Sequence, residues 1–312
     1  MRFAGSMPYV AMFYHYLQES IVPRSAALWF YRQATSSRRR ELWLSLAESA
    51  RFPIGILFYH RVADSHPTHW TISRDDFCRH LDWLQAHFEL TTLAECQRLI
   101  REGRNSRRAI SITFDDGYAE NCDFAIPELK RRGIPMTYFV ATDFIERGHA
   151  FPHDDELGLK LRPNSISEIQ DIAREGFTIG AHTRSHVNSA KLRSEREITE
   201  EILGGAELLR KWTKTPVRYF SFPYGLPEHI SQAAVNLLPK FGFDGFCSAY
   251  GAWNWPGKPG YHLRRIHADP GLESLKNWLT LDPRKLDDHA PLMFTEPLLA
   301  AEHSLASESI LV

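Results

Sequence analysis

ISITFDDGY, residues Ile110 to Tyr118, decides how this chain is read. Ile110, Ile112 and Phe114 alternate along a β-prone apolar run that stops at two adjacent carboxylates, Asp115 and Asp116, followed by Gly117. Successive strand side chains point to opposite faces, so two neighbouring acids at a strand end take different jobs. The glycine lets the backbone turn sharply beside whatever those acids hold. An isolated Asp-Asp-Gly is ordinarily a turn with two solvated aspartates. Here the segment GAHTRSHVN, beginning 64 residues after Asp116, supplies His182 and His186. One carboxylate with two imidazoles is a ligand set for a hydrolytic metal centre.

On either side of this stretch, strands and helices alternate. IGILFYH (54–60) reads as a buried strand with His60 at its C-terminal end. RDDFCRHLDWLQAH (74–87) and TLAECQRLIREG (92–103) read as amphipathic helices. After the Asp115 strand come a helix over 121–133, a strand over 136–142, and an insert over 143–164 of a length that commonly shapes binding grooves. A capping box of Ser165 and Glu168 opens the next helix. FTIGAH (177–182) is a strand delivering His182, 194–212 one long helix, and VRYFSFPYG (217–225) a strand ending in Pro223, Tyr224 and Gly225. Further strands are expected over 243–250 and 261–267, with helices over 227–242 and 272–280. This alternation implies a parallel sheet, and seven or eight such units suit an α/β fold closed as a distorted (β/α)7–8 barrel. His60, Asp115, Asp116, His182, Tyr224 and His267 all fall at C-terminal ends of predicted strands, the face on which barrel enzymes build their sites.

Three parts are expected: a helical N-terminal extension (1–52), the catalytic domain (53–280), and a loosely structured tail (281–312) containing Pro283, Pro291 and Pro297. Lys plus Arg number 37 against 38 for Asp plus Glu, a balance of 37 − 38 = −1, so no basic field points to nucleic acid or an anionic membrane. No apolar window reaches the roughly 18 residues of a membrane span. Cys78, Cys96, Cys122 and Cys247 are scattered, with no C-x-x-C pair, and read as core residues in a reducing compartment. Pro8 and His15 break the apolar N-terminus, which lacks a small-residue cleavage site, so a cytoplasmic location is the expectation.

The H-x-x-x-H spacing is expected to put both rings on one side of a turn or helix start. With Asp116 they make three ligands, leaving positions for water and substrate. Nitrogen and oxygen donors without thiolate suit zinc first, with cobalt, nickel or manganese as alternatives. Asp115 has two open roles: base towards the attacking water, or hydrogen-bond acceptor orienting a ligand histidine.

TFDDG (113–117), the H-T-R-S-H pair (182–186) and FPYG (222–225), in this order and spacing, resemble the NodB-homology polysaccharide deacetylases of carbohydrate esterase family four. The resemblance covers roughly residues 53 to 270. It implies metal-dependent removal of N-acetyl, sometimes O-acetyl, groups from an amino-sugar polymer. Residue by residue it makes Asp115 the base, gives the metal to Asp116, His182 and His186, and assigns the oxyanion to the Tyr224 backbone N–H beside Pro223. Two departures stand out. The arginine that usually pairs with the base is replaced by Ser221, with Arg218 displaced, so the orientation of Asp115 is left open. The general acid is either His267, in LRRIHAD, or His60, in FYHRV; the latter matches the poly-N-acetylglucosamine deacetylase branch and is preferred. Arg264 and Arg265 contact substrate, pair with Asp115 or form a structural ion pair. Trp253, in one loop with Tyr250 and Trp255, either offers a face to sugar rings or covers the barrel end. A sugar-binding pseudoenzyme and a metal-dependent amidase on a non-sugar substrate are the competing readings.

Overall fold

The structure, a computed structural model, describes residues 23–268 and 271–286. The longer strands are mostly apolar runs buried on both faces, as parallel strands covered by helices must be. The strands are β1 (Gly55–Tyr59), β2 (Arg61–Val62), β3 (Thr71–Ile72), β4 (Glu89–Leu90), β5 (Ala109–Phe114) and β6 (Met136–Val140). β7 (Thr178–Ala181), β8 (Tyr219–Ser221), β9 (Gly245–Ser248), β10 (His262–Arg264) and β11 (Ile266–His267) complete the set. The main sheet runs β10-β9-β8-β7-β6-β5-β1-β11, every pairing parallel, with β4 added beside β5. β10 and β11 lie at opposite ends of that order, yet only Arg265 separates them in the chain. The two ends of the sheet therefore meet at Arg265, and the sheet is a nearly closed barrel. The single last strand expected over 261–267 is broken where the ring closes.

Ile56, Phe139, Tyr219, Cys247 and Leu263 come from strands all round the ring and form one cluster with Leu93, Cys96, Leu99 and Ile100. The helix Leu93–Arg101 thus plugs the N-terminal mouth. Its Gln97 Nε2 donates to the carbonyls of Asp244 and Gly260, both at 2.8 Å, and its Oε1 accepts from Tyr219 Oη. With that end of the ring filled, the C-terminal end opens into a cleft.

Helical expectations change in several places, and the helix over 227–242 is a 3₁₀ turn, Pro227–His229, followed by the helix Gln232–Leu237. The helix over 121–133 is two helices, Glu120–Asp123 and Ala125–Arg132, split at Phe124. Pro127, without an N–H, sits in the first turn of the second, where none is needed. The long helix over 194–212 carries a π turn, Thr199–Leu203, between α segments. The insert over 143–164 contains the helices Thr142–Arg147 and Pro152–Asp155 and packs Phe151 and Leu161 on Tyr118.

Before the barrel, the helices Arg24–Ala34 and Ser36–Glu48 dock on the helix Leu272–Leu279 through buried Arg39. Its guanidinium donates to the Asn277 carbonyl (3.0 Å), Asn277 Oδ1 (2.7 Å) and Thr280 Oγ1 (3.0 Å). Residues 281–286, which open the expected tail, are held too: Leu281 and Asp282 are buried, and Asp282 accepts from Tyr31 Oη at 2.8 Å. The tail beyond Leu286 lies outside the described residues. Arg39→Ala strands several acceptors in a dry interface, so urea unfolding should show a loss of about 2–4 kcal/mol.

Candidate active site

The TFDDG turn is built by handedness. The Asp115 N–H donates to the Tyr59 carbonyl at 3.0 Å, keeping it in the sheet. Asp116 then takes a left-handed φ of 74° and Gly117 one of 108°. A side chain in that region costs about 1–2 kcal/mol, so it persists only where the surroundings enforce it. Here the Asp116 carbonyl accepts from the Ala141 N–H at 3.1 Å, and the Gly117 carbonyl from the Asn164 N–H at 2.8 Å.

Of the turn or helix start that the H-x-x-x-H spacing allowed, the structure shows a turn. His182 and His186 flank an irregular loop in which Thr183 (φ 60°) and His186 (φ 55°) are both left-handed. Glu201, on the π turn, gathers that loop: its carboxylate accepts from the Ser185 N–H (3.0 Å), the Arg184 N–H (3.2 Å) and Ser185 Oγ (2.8 Å). Gly205 lets the helix approach, since a Cβ there would lie 3.2 Å from the Thr183 backbone.

His182 Nδ1 donates to the Ser221 carbonyl at 2.8 Å, which leaves Nε2 as the ligand nitrogen. That Nε2 lies 3.3 Å from Asp116 Oδ1, and His186 Nε2 lies 3.2 Å from the same oxygen. Asp116 Oδ1 is buried and no donor reaches it in hydrogen-bonding geometry among the described residues. Imidazole lone pairs aimed at a buried carboxylate repel it unless a proton or cation is shared between them. The electrostatics agree. Burial would raise the Asp116 carboxyl, yet His186 and His182 hold it well below the usual range. Burial would lower His182, but Asp115 and Asp116 lift it above its ordinary value. The donor set and the orphaned oxygen fit a divalent cation.

Asp115 is oriented by Arg265. The guanidinium, 1% exposed, donates Nη1 to Oδ1 and Nη2 to Oδ2, both at 2.7 Å, a two-pronged pair. Arg265 also donates to Ser221 Oγ (2.8 Å), Thr113 Oγ1 (3.1 Å) and the Ser248 carbonyl (3.1 Å), and lies over the Phe58 ring at 4.6 Å. Burial would raise the Asp115 carboxyl; Arg265 and His182 reverse this and hold it below the usual range. Of the roles open to Arg265, substrate contact or a pair with Asp115, the structure shows the pair. Ser221, standing where the family arginine was expected, receives that displaced arginine's N–H.

These groups open into a cleft of about 400 Å³ at the C-terminal end of the barrel. His60 and His267 stand side by side there, 5.9 Å between ring centres, with Phe58 beneath both. Burial pushes His60 down to about 4, and its Nδ1 is buried without a partner among the described residues. Tyr224 reaches the cleft with a left-handed φ of 63° and its ring 5.1 Å from His186. Of two residues expected at the substrate, Pro223 lies off the cleft and Trp253 takes its alternative place at the barrel end. Pro223 is buried off the cleft, its carbonyl accepting from the Gly225 N–H at 2.7 Å, so it shapes the turn and meets no ligand. Trp253 is buried at the opposite end, against Gly55 at the start of β1, and so packs the barrel bottom.

Sequence reading missed Glu201 and the insert residue His153, whose side chain lines the cleft. The only signal for His153 was the length of its loop. All four cysteines are free, and no helix of the described residues is long and apolar enough to cross a membrane.

Residues 102–246 match the family model for polysaccharide deacetylase. The poly-β-1,6-N-acetyl-D-glucosamine N-deacetylase of Staphylococcus epidermidis is 26% identical over 249 residues, 73% of this chain and 84% of that protein. Among solved structures, IcaB from Ammonifex degensii superposes with a TM-score of 0.60 at 24% identity, covering 73% of this chain and 94% of that one. The Streptococcus pyogenes deacetylase PplD, in complex with acetate, gives 0.62 at 18% identity, over 73% and 98%. The barrel is the fold that these solved deacetylases share. The matched segment is similar to the polysaccharide deacetylases, and the likeness extends to a poly-N-acetylglucosamine N-deacetylase.

Proposed function

We propose that this protein removes N-acetyl groups from an amino-sugar polymer or oligosaccharide by metal-dependent hydrolysis. The observation that carries the reading is Asp116 Oδ1, buried and without a donor, faced by two imidazole nitrogens beside an independently oriented Asp115. Asp116, His182 and His186 would hold the cation, which supplies Lewis acidity towards the acetamide carbonyl and the attacking water. Asp115, ionised and fixed by Arg265, takes a proton as water oxygen bonds to the acetamide carbon. The Tyr224 N–H donates to no acceptor among the described residues and supports the oxyanion. The proton taken by Asp115 is passed on, with the neutral His60 as its carrier, to the nitrogen as the C–N bond breaks, releasing acetate and the free amine.

Arg265 also answers the main argument for a pseudoenzyme, since the missing arginine is supplied from the barrel seam. The test is acetate release from β-1,4- and β-1,6-linked N-acetylglucosamine oligomers, after chelation and with zinc, cobalt, nickel or manganese restored. Metal-dependent release is expected. Hydrolysis confined to non-sugar amides would transfer the site to the amidase reading. His60→Ala should lower kcat by roughly 10²-fold or more, and His267→Ala by much less. The reverse order would assign the proton to His267.

A further inference from the structure

One more imidazole lines the cleft, and its neighbours set its chemistry. His153 stands on the helix Pro152–Asp155 of the insert, its side chain 24% exposed along the cleft wall. Behind it, Tyr118 Oη donates to the carboxylate of buried Asp154 at 2.9 Å. His153 Nε2 lies 2.7 Å from the same Tyr118 oxygen. A phenol has one hydrogen. With that hydrogen on Asp154, the oxygen can only accept, so the His153 proton sits on Nε2. The lone pair of the neutral ring is then at Nδ1, on a side chain that lines the cleft.

The ring is also held still. It lies parallel to Phe151, 9° between planes and 5.6 Å between centres, and edge-on to Trp70 at 4.8 Å. Its centre is 5.6 Å from that of His186. A rigid acceptor at this distance from the Asp116–His186 pair faces the groups that flank a bound acetamide.

We propose that His153 is a substrate-binding residue whose Nδ1 accepts a hydrogen bond from a hydroxyl of the N-acetyl sugar held in the cleft. The proposal rests on the deacetylase reading for the identity of that sugar. It gives the insert a function: the insert supplies an acceptor that prefers a hydroxylated ring to an amide without hydroxyls. A site built to bond a substrate hydroxyl discriminates against analogues lacking it, because its own polar atom is then left unpaired.

The test is calorimetric binding of β-1,4- and β-1,6-linked N-acetylglucosamine tetramers to the full metal-loaded chain, in wild type, His153→Phe and His153→Gln. Phenylalanine keeps the stacking on Phe151 and removes the acceptor; glutamine returns a carbonyl acceptor. Kd should weaken about three- to tenfold in H153F and recover in part in H153Q, with metal stoichiometry unchanged. In acetate release, KM should rise by the same factor while kcat stays within about twofold. Wild-type affinity in H153F, or a wild type that binds neither tetramer, overturns the proposal. Binding that depends on His153 without any acetate release leaves the contact standing and sinks the deacetylase reading alone.

Discussion

Asp115→Asn should cut acetate release by roughly 10³-fold while the chain still binds one divalent cation, because the substitution removes a proton acceptor and leaves Asp116, His182 and His186 in place. Arg265→Gln should cost activity on a similar scale by another route. It leaves the Asp115 carboxylate buried without its two-pronged partner, and unfolding should show a loss of about 3–5 kcal/mol. Lysine will not rescue, since a point charge cannot bond both carboxylate oxygens as the guanidinium does at 2.7 Å. The two residues act as one unit, so the double variant should be scarcely slower than D115N alone. A pH profile gives an independent readout. Arg265 holds the Asp115 carboxyl low against a burial effect that raises it. Without the guanidinium the carboxyl rises, so the acidic limb of kcat/KM should move to higher pH in R265Q. Near-wild-type turnover in D115N, or an unmoved limb in R265Q, would remove Asp115 as the base.

Asp116→Ala should abolish both cation binding and turnover, with activity down by about 10³-fold or more. Chelation of the wild type should do the same reversibly. Cation binding should also release protons, because the two carboxylates favour a protonated His182 and the cation displaces that proton. Calorimetry in two buffers of different ionisation enthalpy measures this release. Full activity in chelated protein, or in D116A, contradicts the metal-dependent reading directly.

Much of the site was legible along the chain because it depends on strand ends. A parallel barrel puts every strand's C-terminus on one face, so Asp115, Asp116, His182 and His60 converge once the strands are recognised. Periodicity found those strands, and Asp-Asp-Gly and H-x-x-x-H marked two of the ends. Aromatic composition misled in the case of Trp253. A Gly/Pro loop looks the same in sequence whether it opens to the ligand or, as here, packs beneath β1. The helix 194–212 misled for a related reason: its apolar spacing is helical, but Glu201 is drawn to the histidine loop, and a π turn lies at that point.

The sequence alone determined the barrel class and the convergence of Asp116, His182 and His186 with Asp115 beside them, since local patterning and strand polarity carry that information. Only the tertiary structure decided which arginine orients Asp115 and which insert residue faces the ligand. Arg265 lies 150 residues from Asp115 and reaches it because β10 and β11 meet the two ends of one sheet at that residue. Such ring closure is a long-range event with no local signature. His153 likewise owes its fixed lone pair to Tyr118, 35 positions earlier in the chain, and to a fold that stacks the insert on the TFDDG turn.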